Sequence, residues 1–323
     1  MNAAIINANA LHLPLSDSCV QCAITSPPYY GLRDYGVNDQ IGLEPTPQEY
    51  VARIVAAMRE VRRVLRPDGT LWIVLGDSFA RNGSEPGGGN RELMHKEGKQ
   101  KRMMSIPKGS SLKPKDLVGI PWHIAFALQE DGWWLRSDII WSKSNPMPES
   151  VTDRPTRAHE YVFLLAKSKR YFYDTEAIKE PSRPFHVSGP NSRANVDRDP
   201  AHGTRKQDAI GKRTYEVFND RWRNKPVNGR NRRSVWTVAT MPYAGAHFAT
   251  FPPKLIEPMV LAGSRPGDLV LDPFAGTATV GRVCVKHGRR FVGVELNPAY
   301  IELSRDRTSR VQLALTMTGQ GDG

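Results

Sequence analysis

The chain has 323 residues and a formal net charge of +12 at pH 7, with 39 % hydrophobic and 24 % charged residues. This composition fits a protein with one large core or two smaller ones, and it contains no apolar run of the ~18 residues that a membrane span needs. The first ten residues have neither the basic start nor the apolar stretch of a secretory signal. We therefore expect a cytoplasmic protein with no membrane partner.

The first half of the chain predicts strands that alternate with helices. Strands are expected at residues 3–6 and 20–24, followed by a helix over 46–65. This helix should begin with Thr46 as its N-cap, Pro47 in its first turn and Glu49 completing a capping box. A turn at 67–69 should end it, before a buried strand at 70–75, a helix at 117–128 and strands at 134–141 and 160–166.

The second half continues the alternation. It predicts a helix at 254–263, a strand at 269–271, a helix at 279–286, a strand at 291–294 and a closing helix at 300–315. Strands that alternate with helices are typical of an α/β fold, so we expect a doubly wound, mostly parallel sheet.

Two segments, 80–115 and 175–240, hold the net positive charge and show no periodicity. We expect the first to be a mobile basic loop and the second to be an insert. Both compositions suit contact with phosphates, although basic loops can also be merely solvated. Trp222 and Trp236 in the second segment either stack on bases or form a small core of the insert.

The three cysteines predict no metal site. Cys19 and Cys22 have the spacing of half a zinc site, but no second pair completes it. We therefore expect Cys19 and Cys22 to be small side chains packed in the core around the second strand rather than metal ligands.

The strand at 20–24 ends in a turn, Ser-Pro-Pro-Tyr at residues 26–29, that suits chemistry on an aromatic amine. Such an amine is a poor nucleophile because its lone pair is delocalised into the ring. Ser26 Oγ and the Pro27 carbonyl can accept its two N–H groups and localise that lone pair. Pro28 stiffens the turn, and Tyr29 offers a flat face to a base flipped out of a duplex.

The strand at 269–271 ends in a second turn, which suits a nucleotide-like cofactor. Gly276 can take a positive φ and lets a ligand approach the backbone. Glu295 ends the next strand, about 20 positions after the turn, where an acidic residue can accept hydrogen bonds from ribose hydroxyls. By itself this pair is shared by many nucleotide-binding folds.

The motifs together resemble the DNA amino-methyltransferases, which transfer a methyl group from S-adenosylmethionine (SAM) to an exocyclic nitrogen of a base. The resemblance lies in Ser-Pro-Pro-Tyr at 26–29, His-Phe-Ala-Thr-Phe-Pro at 247–252, Asp-Pro-Phe-Ala-Gly-Thr at 272–277 and Gly-Val-Glu-Leu-Asn at 293–297. The order, with the catalytic motif before the cofactor motif, resembles the permuted beta class with its Rossmann-like fold. Ala278 departs from the family, which often has Gly there; the extra methyl group is tolerable unless φ is positive.

The resemblance implies a division of the chain and a set of site residues. Residues 1–174 would be the catalytic half, 175–240 the target-recognition insert and 241–323 the SAM-binding half. The catalytic residues would be Ser26, Pro27, Pro28 and Tyr29. The cofactor-binding residues would be Asp272, Pro273, Phe274, Gly276, Thr277, Glu295, Asn297, Phe251 and Asn7. The DNA-binding residues would be Arg205, Lys206, Arg213, Arg221, Arg223, Arg230, Arg232 and Arg233.

The implied partner is double-stranded DNA, with a separate restriction endonuclease as a further candidate; the oligomeric state stays open, a homodimer included. In this family Ser at the first motif position is typical of cytosine-N4 enzymes, so Ser26 favours cytosine, with adenine N6 as the alternative. Two other readings remain: a methyltransferase acting on protein or RNA, and a non-catalytic DNA-binding scaffold.

Overall fold

The computed structural model describes residues 3–80, 111–181, 229–241 and 251–318. The chain divides into two compact units, Met1–Ala177 together with Arg233–Gly323, and Ile178–Arg232. The ranges 1–174 and 241–323, predicted to be the catalytic half and the SAM-binding half, both lie within the first unit.

The described part of the first unit is an α/β structure whose elements follow the predicted alternation. Its strands are β1 (Ala3–Asn7), β2 (Val20–Thr25), β3 (Leu65–Leu75), β4 (Trp134–Ser142), β5 (His159–Ala166), β6 (Val235–Thr237), β7 (Leu269–Asp272) and β8 (Arg290–Glu295). Its helices are α1 (Pro47–Val64), α2 (Ile120–Glu130), α3 (Pro253–Gly263), α4 (Thr279–Lys286) and α5 (Pro298–Thr318).

The eight strands form one sheet in the order β1-β8-β7-β2-β3-β5-β4-β6. The first five strands in this order run parallel to one another. β5 is antiparallel to both of its neighbours, and β6 is parallel to β4. The prediction of a mostly parallel α/β sheet is therefore confirmed.

The sheet reverses its winding between β2 and β7. From β2 the chain passes through α1 to β3 on one side, and from β7 through α4 to β8 on the other. Because crossovers between parallel strands are right-handed, these two helices cover opposite faces of the sheet. Ligands of open α/β sheets bind beyond the carboxyl ends of the strands at such a switch point.

Helix α1 begins as its sequence predicts. Thr46 Oγ1 accepts a hydrogen bond from the Glu49 amide at 3.1 Å, and Glu49 Oε2 accepts one from the Thr46 amide at 3.2 Å. The predicted end is less accurate: β3 starts directly at Leu65, so residues 67–69 lie inside a strand rather than in a separate turn. The pairing between β2 and β3 shifts register there, which accommodates the extra residues.

Part of the predicted insert 175–240 belongs to the sheet. β6 pairs with the end of β4, and the Trp236 indole is buried, with its ring centroid 6.3 Å from that of Trp72. Its Nε1 donates to the Arg233 carbonyl at 2.7 Å. Trp236 is thus a core residue of the first unit rather than a base-stacking one.

In the second unit, the described residues include an antiparallel bridge between Glu180 and Arg230, whose amides and carbonyls bond reciprocally at 2.9 Å. An ion pair at 3.2 Å joins the same two side chains. Across the described ranges of the whole chain, no helix is long and apolar enough to span a membrane.

Candidate active site

The two predicted motifs lie side by side at the switch point of the sheet. Thr25 ends β2 and Asp272 ends the neighbouring β7, and Thr25 Oγ1 donates a hydrogen bond to Asp272 Oδ1 at 2.7 Å. Both side chains are buried. The turns that follow these two strands therefore leave the sheet from adjacent positions.

The turn after β7, residues 272–277, is called the cofactor turn below. Two of its backbone amides donate hydrogen bonds that hold it at the end of the sheet. Asp272 Oδ1 also accepts from the Phe274 amide at 3.1 Å, and the Ala275 amide donates to the Val294 carbonyl at 2.9 Å. Gly276 has φ +49°, and a Cβ built there would meet only the Phe274 carbonyl, at 4.0 Å. The backbone of this turn is thus open on that side, as a close ligand requires.

Glu295 faces this turn from the end of β8. Its Oε2 accepts a hydrogen bond from the Gly276 amide and its Oε1 one from the Asn297 amide, each at 2.8 Å. Burial raises the pKa of its carboxyl, and these amide donors oppose that shift. Each carboxylate oxygen has a second lone pair, so Glu295 can still accept from a ligand.

Asn7 and Asn297 hold the backbone around Glu295. Asn7 Nδ2 donates to the carbonyls of Glu295 and Leu296 at 2.9 and 3.0 Å. Asn297 Nδ2 donates to the Tyr35 carbonyl at 3.2 Å. The amide nitrogens of both asparagines are therefore engaged in fixing the site, and the contact that either makes with a cofactor stays a prediction.

Two buried oxygens in the cofactor turn lack a hydrogen-bond partner within the described residues: Asp272 Oδ2 and Thr277 Oγ1. An unpaired buried acceptor is costly, and burial raises the pKa of the Asp272 carboxyl to about 7. A ligand that brings donors, such as the ammonium and hydroxyl groups of SAM, would satisfy both atoms. The residues of the turn thus fit this cofactor.

The departure noted at Ala278 has a structural consequence. Ala278 has φ +53° and is the N-cap of α4, with its side chain fully buried. A non-glycine residue in this left-handed region is strained by roughly 1–2 kcal/mol. Because φ is positive here, the methyl group of Ala278 carries this conformational cost, which glycine would not have.

The turn after β2, residues 26–29, is called the catalytic turn below. Two tyrosine hydroxyls hold it in place. The Tyr50 hydroxyl of α1 donates to the Pro28 carbonyl at 2.7 Å. The Tyr29 hydroxyl donates to Glu160 Oε2 at 2.7 Å, and its ring lies so close to Gly76 that a Cβ there would be 2.5 Å from Cε2. Pro27 is buried, whereas Ser26, Pro28 and Tyr29 are half-buried.

Glu160 is a member of this site that the sequence did not single out. It stands near the start of β5, and its Oε1 accepts from Lys143 Nζ at 2.6 Å. Burial, followed by the neighbouring Glu160, raises the pKa of Tyr29 well above its usual value of 10.0. Only the fold places Tyr29 and Glu160 together, so no local sequence signal identifies this pair.

The remaining predicted site residues divide between described and undescribed parts of the chain. Phe251 is half-buried just before α3, and Pro273 is buried in the cofactor turn. Of the DNA-binding candidates, Arg230, Arg232 and Arg233 are described. The others lie outside the described residues: Arg205, Lys206, Arg213, Arg221 and Arg223. So does most of the predicted basic loop 80–115.

A metal centre is not formed by the residues described. Within them, no group of three or more His, Cys, Asp or Glu side chains is placed to hold an ion. Cys22 is buried in β2, where burial raises the pKa of its thiol to about 12.

Comparison with known proteins relates the chain to enzymes of DNA modification. A family model described as DNA methylase matches residues 20–306. The type II methyltransferase M.Cfr9I of Citrobacter freundii is 46 % identical over 298 residues, which cover 91 % of this chain and 82 % of that protein. The type II methyltransferase M.SmaI of Serratia marcescens is 46 % identical over 299 residues, covering 92 % and 86 %.

Two solved structures share the fold. PvuII DNA methyltransferase (cytosine-N4-specific) matches 100 % of this chain and 94 % of its own, with a TM-score of 0.59 and 16 % identity. The TTHA0409 protein of Thermus thermophilus, complexed with S-adenosyl-L-methionine, matches 95 % and 93 %, with a TM-score of 0.56 and 23 % identity. At these identities the two likenesses establish the fold alone.

Proposed function

The chain belongs to the DNA methylase family, and we propose that it transfers a methyl group from SAM to the N4 amine of a cytosine flipped out of double-stranded DNA. The observation behind this proposal is the 2.7 Å hydrogen bond between Thr25 and Asp272, since it joins the strand ends of the two motifs. Group transfer requires that the two bound molecules lie side by side. Here the acceptor-rich turn and the cofactor turn meet at one switch point of the sheet.

The cofactor half would be held by side chains already aimed at the turn. SAM, when bound, supplies an electrophilic methyl group on a sulfonium that is a good leaving group. Asp272 Oδ2 and Thr277 Oγ1 would accept from its polar groups, and Glu295 from its ribose hydroxyls. Because the space where a Cβ of Gly276 would lie is open, SAM would be able to approach the backbone there closely. The remaining predicted cofactor-binding residues would line or brace this half: Phe251, Phe274, Pro273, Asn297 and Asn7.

The catalytic half would act on the target amine by orientation. Ser26 Oγ and the Pro27 carbonyl would accept the two N–H groups and turn them out of the ring plane, which localises the nitrogen lone pair. The fixed Pro28 carbonyl holds the turn in place, so these acceptors are preorganised. Tyr29 would stack against the flipped base. The methylated amine is acidic enough to lose a proton afterwards, so no strong base is needed before attack.

Ser26 is the reason for preferring cytosine over adenine. A serine at this position is typical of cytosine-N4 enzymes among the amino-methyltransferases that the motifs resemble. The solved structure with the highest TM-score quoted above is named as cytosine-N4-specific, but its low identity carries no argument about the base. Adenine N6 is the alternative product of the same mechanism.

Contact with DNA would come from the basic segments. Arg230, Arg232 and Arg233 precede β6 along the chain. Arginine side chains can pair with phosphates or with guanine edges. The same proposed recognition insert contains five further candidates: Arg205, Lys206, Arg213, Arg221 and Arg223. The relatives are named as type II methyltransferases, so a separate restriction endonuclease of the same specificity is proposed as a functional partner.

Nucleoside mass spectrometry of unmethylated DNA, incubated with the protein and SAM, tests the proposal. N4-methylcytosine is the expected product. N6-methyladenine would overturn the choice of base, and the absence of any methylated nucleoside would overturn the activity. The variant Ser26→Ala should keep its SAM affinity and lose more than tenfold in kcat, because one acceptor at the reacting amine is gone. Unchanged turnover would contradict the role given to Ser26.

A further inference from the structure

The cofactor turn contains a backbone donor that the protein itself leaves unused. Within residues 274–278, four backbone amides donate hydrogen bonds to protein oxygens: those of Phe274, Ala275, Gly276 and Ala278. The amide of Thr277 has no such partner in the part of the chain that the structure describes. Thr277 is buried, and a buried N–H group without an acceptor is costly. A ligand that brings an acceptor would therefore be stabilised at this amide.

The direction of the Thr277 amide is set from α5, by Ser304. The Ser304 side chain is fully buried, and its hydroxyl donates to the Gly276 carbonyl. The peptide between Gly276 and Thr277 is trans, so its carbonyl and its N–H group point in opposite directions. Because the carbonyl points at Ser304, the Thr277 N–H points away from Ser304.

The hydrogen bond of Ser304 differs from the one that a hydroxyl inside a helix usually makes, which is to a carbonyl of its own helix. Thr308, about one turn further along α5, makes the usual bonds. Its Oγ1 donates to the carbonyls of Ser304 and Arg305 at 2.9 and 3.1 Å. Ser304 instead reaches a carbonyl of the cofactor turn, so its hydroxyl serves the turn rather than the helix.

The segment from β8 to α5 holds the Gly276 residue at both of its backbone groups. Glu295, at the end of β8, accepts from the Gly276 amide, and its other oxygen accepts from the Asn297 amide at 2.8 Å. Asn297 Oδ1 accepts from the Ala299 amide at 3.0 Å, in the first turn of α5. The start of α5 is thus tied to the carboxylate that holds the Gly276 amide, and Ser304 of the same helix holds the carbonyl. This arrangement preorganises the turn.

We propose that Ser304 is a positioning residue for SAM: by holding the Gly276 carbonyl on α5, it turns the Thr277 N–H outward as a donor to the carboxylate of SAM. The carboxylate is the anionic group of SAM, and the cofactor turn leads into the N-terminus of α4, where negative charge is favoured. This inference rests on the proposed function, in which SAM lies on the cofactor turn.

The variant Ser304→Ala tests this by releasing the Gly276 carbonyl. Alanine is the best helix former, so the variant should fold. Calorimetric titration of the full chain with SAM should give a Kd about fivefold to tenfold above that of the wild type, because the Thr277 amide is no longer held in place. Ser304→Cys keeps a weak donor at the same position, and its Kd should lie between the two.

Thr308→Val is the matched control. It removes a buried hydroxyl from the same helix, but this hydroxyl bonds only to carbonyls of α5. Its Kd for SAM should stay within about twofold of the wild type. A rise as large as that of Ser304→Ala would overturn the inference, because any loss of packing in α5 would then suffice to weaken SAM binding.

A second ligand separates positioning from a merely structural role. Decarboxylated SAM keeps the ammonium, the sulfonium and the nucleoside of SAM but lacks the carboxylate. The donor that Ser304 aims has no acceptor in this ligand, so its Kd should differ by less than about twofold between Ser304→Ala and the wild type. A structural defect of the turn would raise the Kd of both ligands by the same factor.

The outcomes distinguish this inference from the proposed function. Absence of SAM binding by the wild-type protein overturns the proposed function. Wild-type binding of SAM together with an unchanged Kd in Ser304→Ala, or with an equal rise for both ligands, overturns the role of Ser304 alone. If Ser304→Ala does not fold, Ser304→Cys is titrated with the same two ligands; an unchanged ratio of their Kd values in that variant overturns the inference.

Discussion

The variant Asp272→Asn should make the cofactor-free protein more stable at pH 8 while weakening its binding of SAM. Asp272 is buried, and its Oδ2 has no partner among the described residues. Burial raises its pKa from an ordinary 3.8 to about 7. A carboxyl whose pKa is higher in the folded than in the unfolded state stabilises the protein below pH 3.8, and this contribution is lost as the pH rises through 7.

The size of the effect follows from that shift. Each pKa unit corresponds to ~1.36 kcal/mol, so ionised Asp272 destabilises the cofactor-free protein by about 4 kcal/mol at pH 8. Asparagine removes the charge and keeps an oxygen for Thr25 and the Phe274 amide, but its NH2 group is left unpaired at a cost of ~1–3 kcal/mol. We therefore expect a net stabilisation of about 1–3 kcal/mol at pH 8, which turns into a net destabilisation of about 1–3 kcal/mol towards pH 4, where only the cost of the unpaired NH2 group remains.

Urea unfolding of the SAM-free protein at pH 8 and pH 5 measures this difference, and calorimetric titration measures SAM affinity. The Kd for SAM should rise more than tenfold in Asp272→Asn, since a carboxylate that accepts from the cofactor is lost. Asp153→Asn is the control, because Asp153 is exposed and its pKa is lowered by Lys115. If Asp272→Asn is destabilised equally at both pH values, the buried charge carries no cost and the reasoning is refuted.

Two further variants test separate parts of the structure. Glu295→Gln should raise the Kd for SAM at least tenfold, because its NH2 group would oppose the Gly276 amide and remove an acceptor for the ribose; titration with SAM measures this, and an unaltered Kd would remove Glu295 from the cofactor site. Thr46→Ala should lower the free energy of unfolding by about 1 kcal/mol, since it deletes the N-cap of α1. Urea unfolding checks this value, and kcat should not change.

The features that the sequence predicted well are those encoded within a few residues. The capping box of α1 needs only Thr46 and Glu49, and it is found as expected. The strand-turn-helix junction at Asp272 is equally local, and α4 spans the range predicted for it. Short apolar runs also identified the inner strands of the parallel part of the sheet, such as β2, β7 and β8, because nearly all of their residues are buried.

The features that the sequence missed depend on contacts between distant segments. β6 has three residues, too few to show a period, and its place in the sheet is set by pairing with β4. The hydrogen bond between Tyr29 and Glu160 exists because β5 enters the sheet next to β3 in the opposite direction. That reversal brings the first residues of β5 to the edge where the parallel strands end.

The candidate site owes its geometry to a single pairing of strands. β2 and β7 are joined in register at two positions, Cys22 with Val270 and Ala23 with Leu271. Continued by one residue, this register sets Asp272 beside Ile24, so that Asp272 and the next residue, Thr25, end their strands within hydrogen-bond reach of each other, at 2.7 Å. A shift of the register would change which side chains meet at these two strand ends. Nothing in the arrangement depends on which strand comes first along the chain. A methyl-transfer site of this kind therefore tolerates permutation of its two halves, provided that the strand bearing the catalytic turn and the strand bearing the cofactor turn stay adjacent and in register.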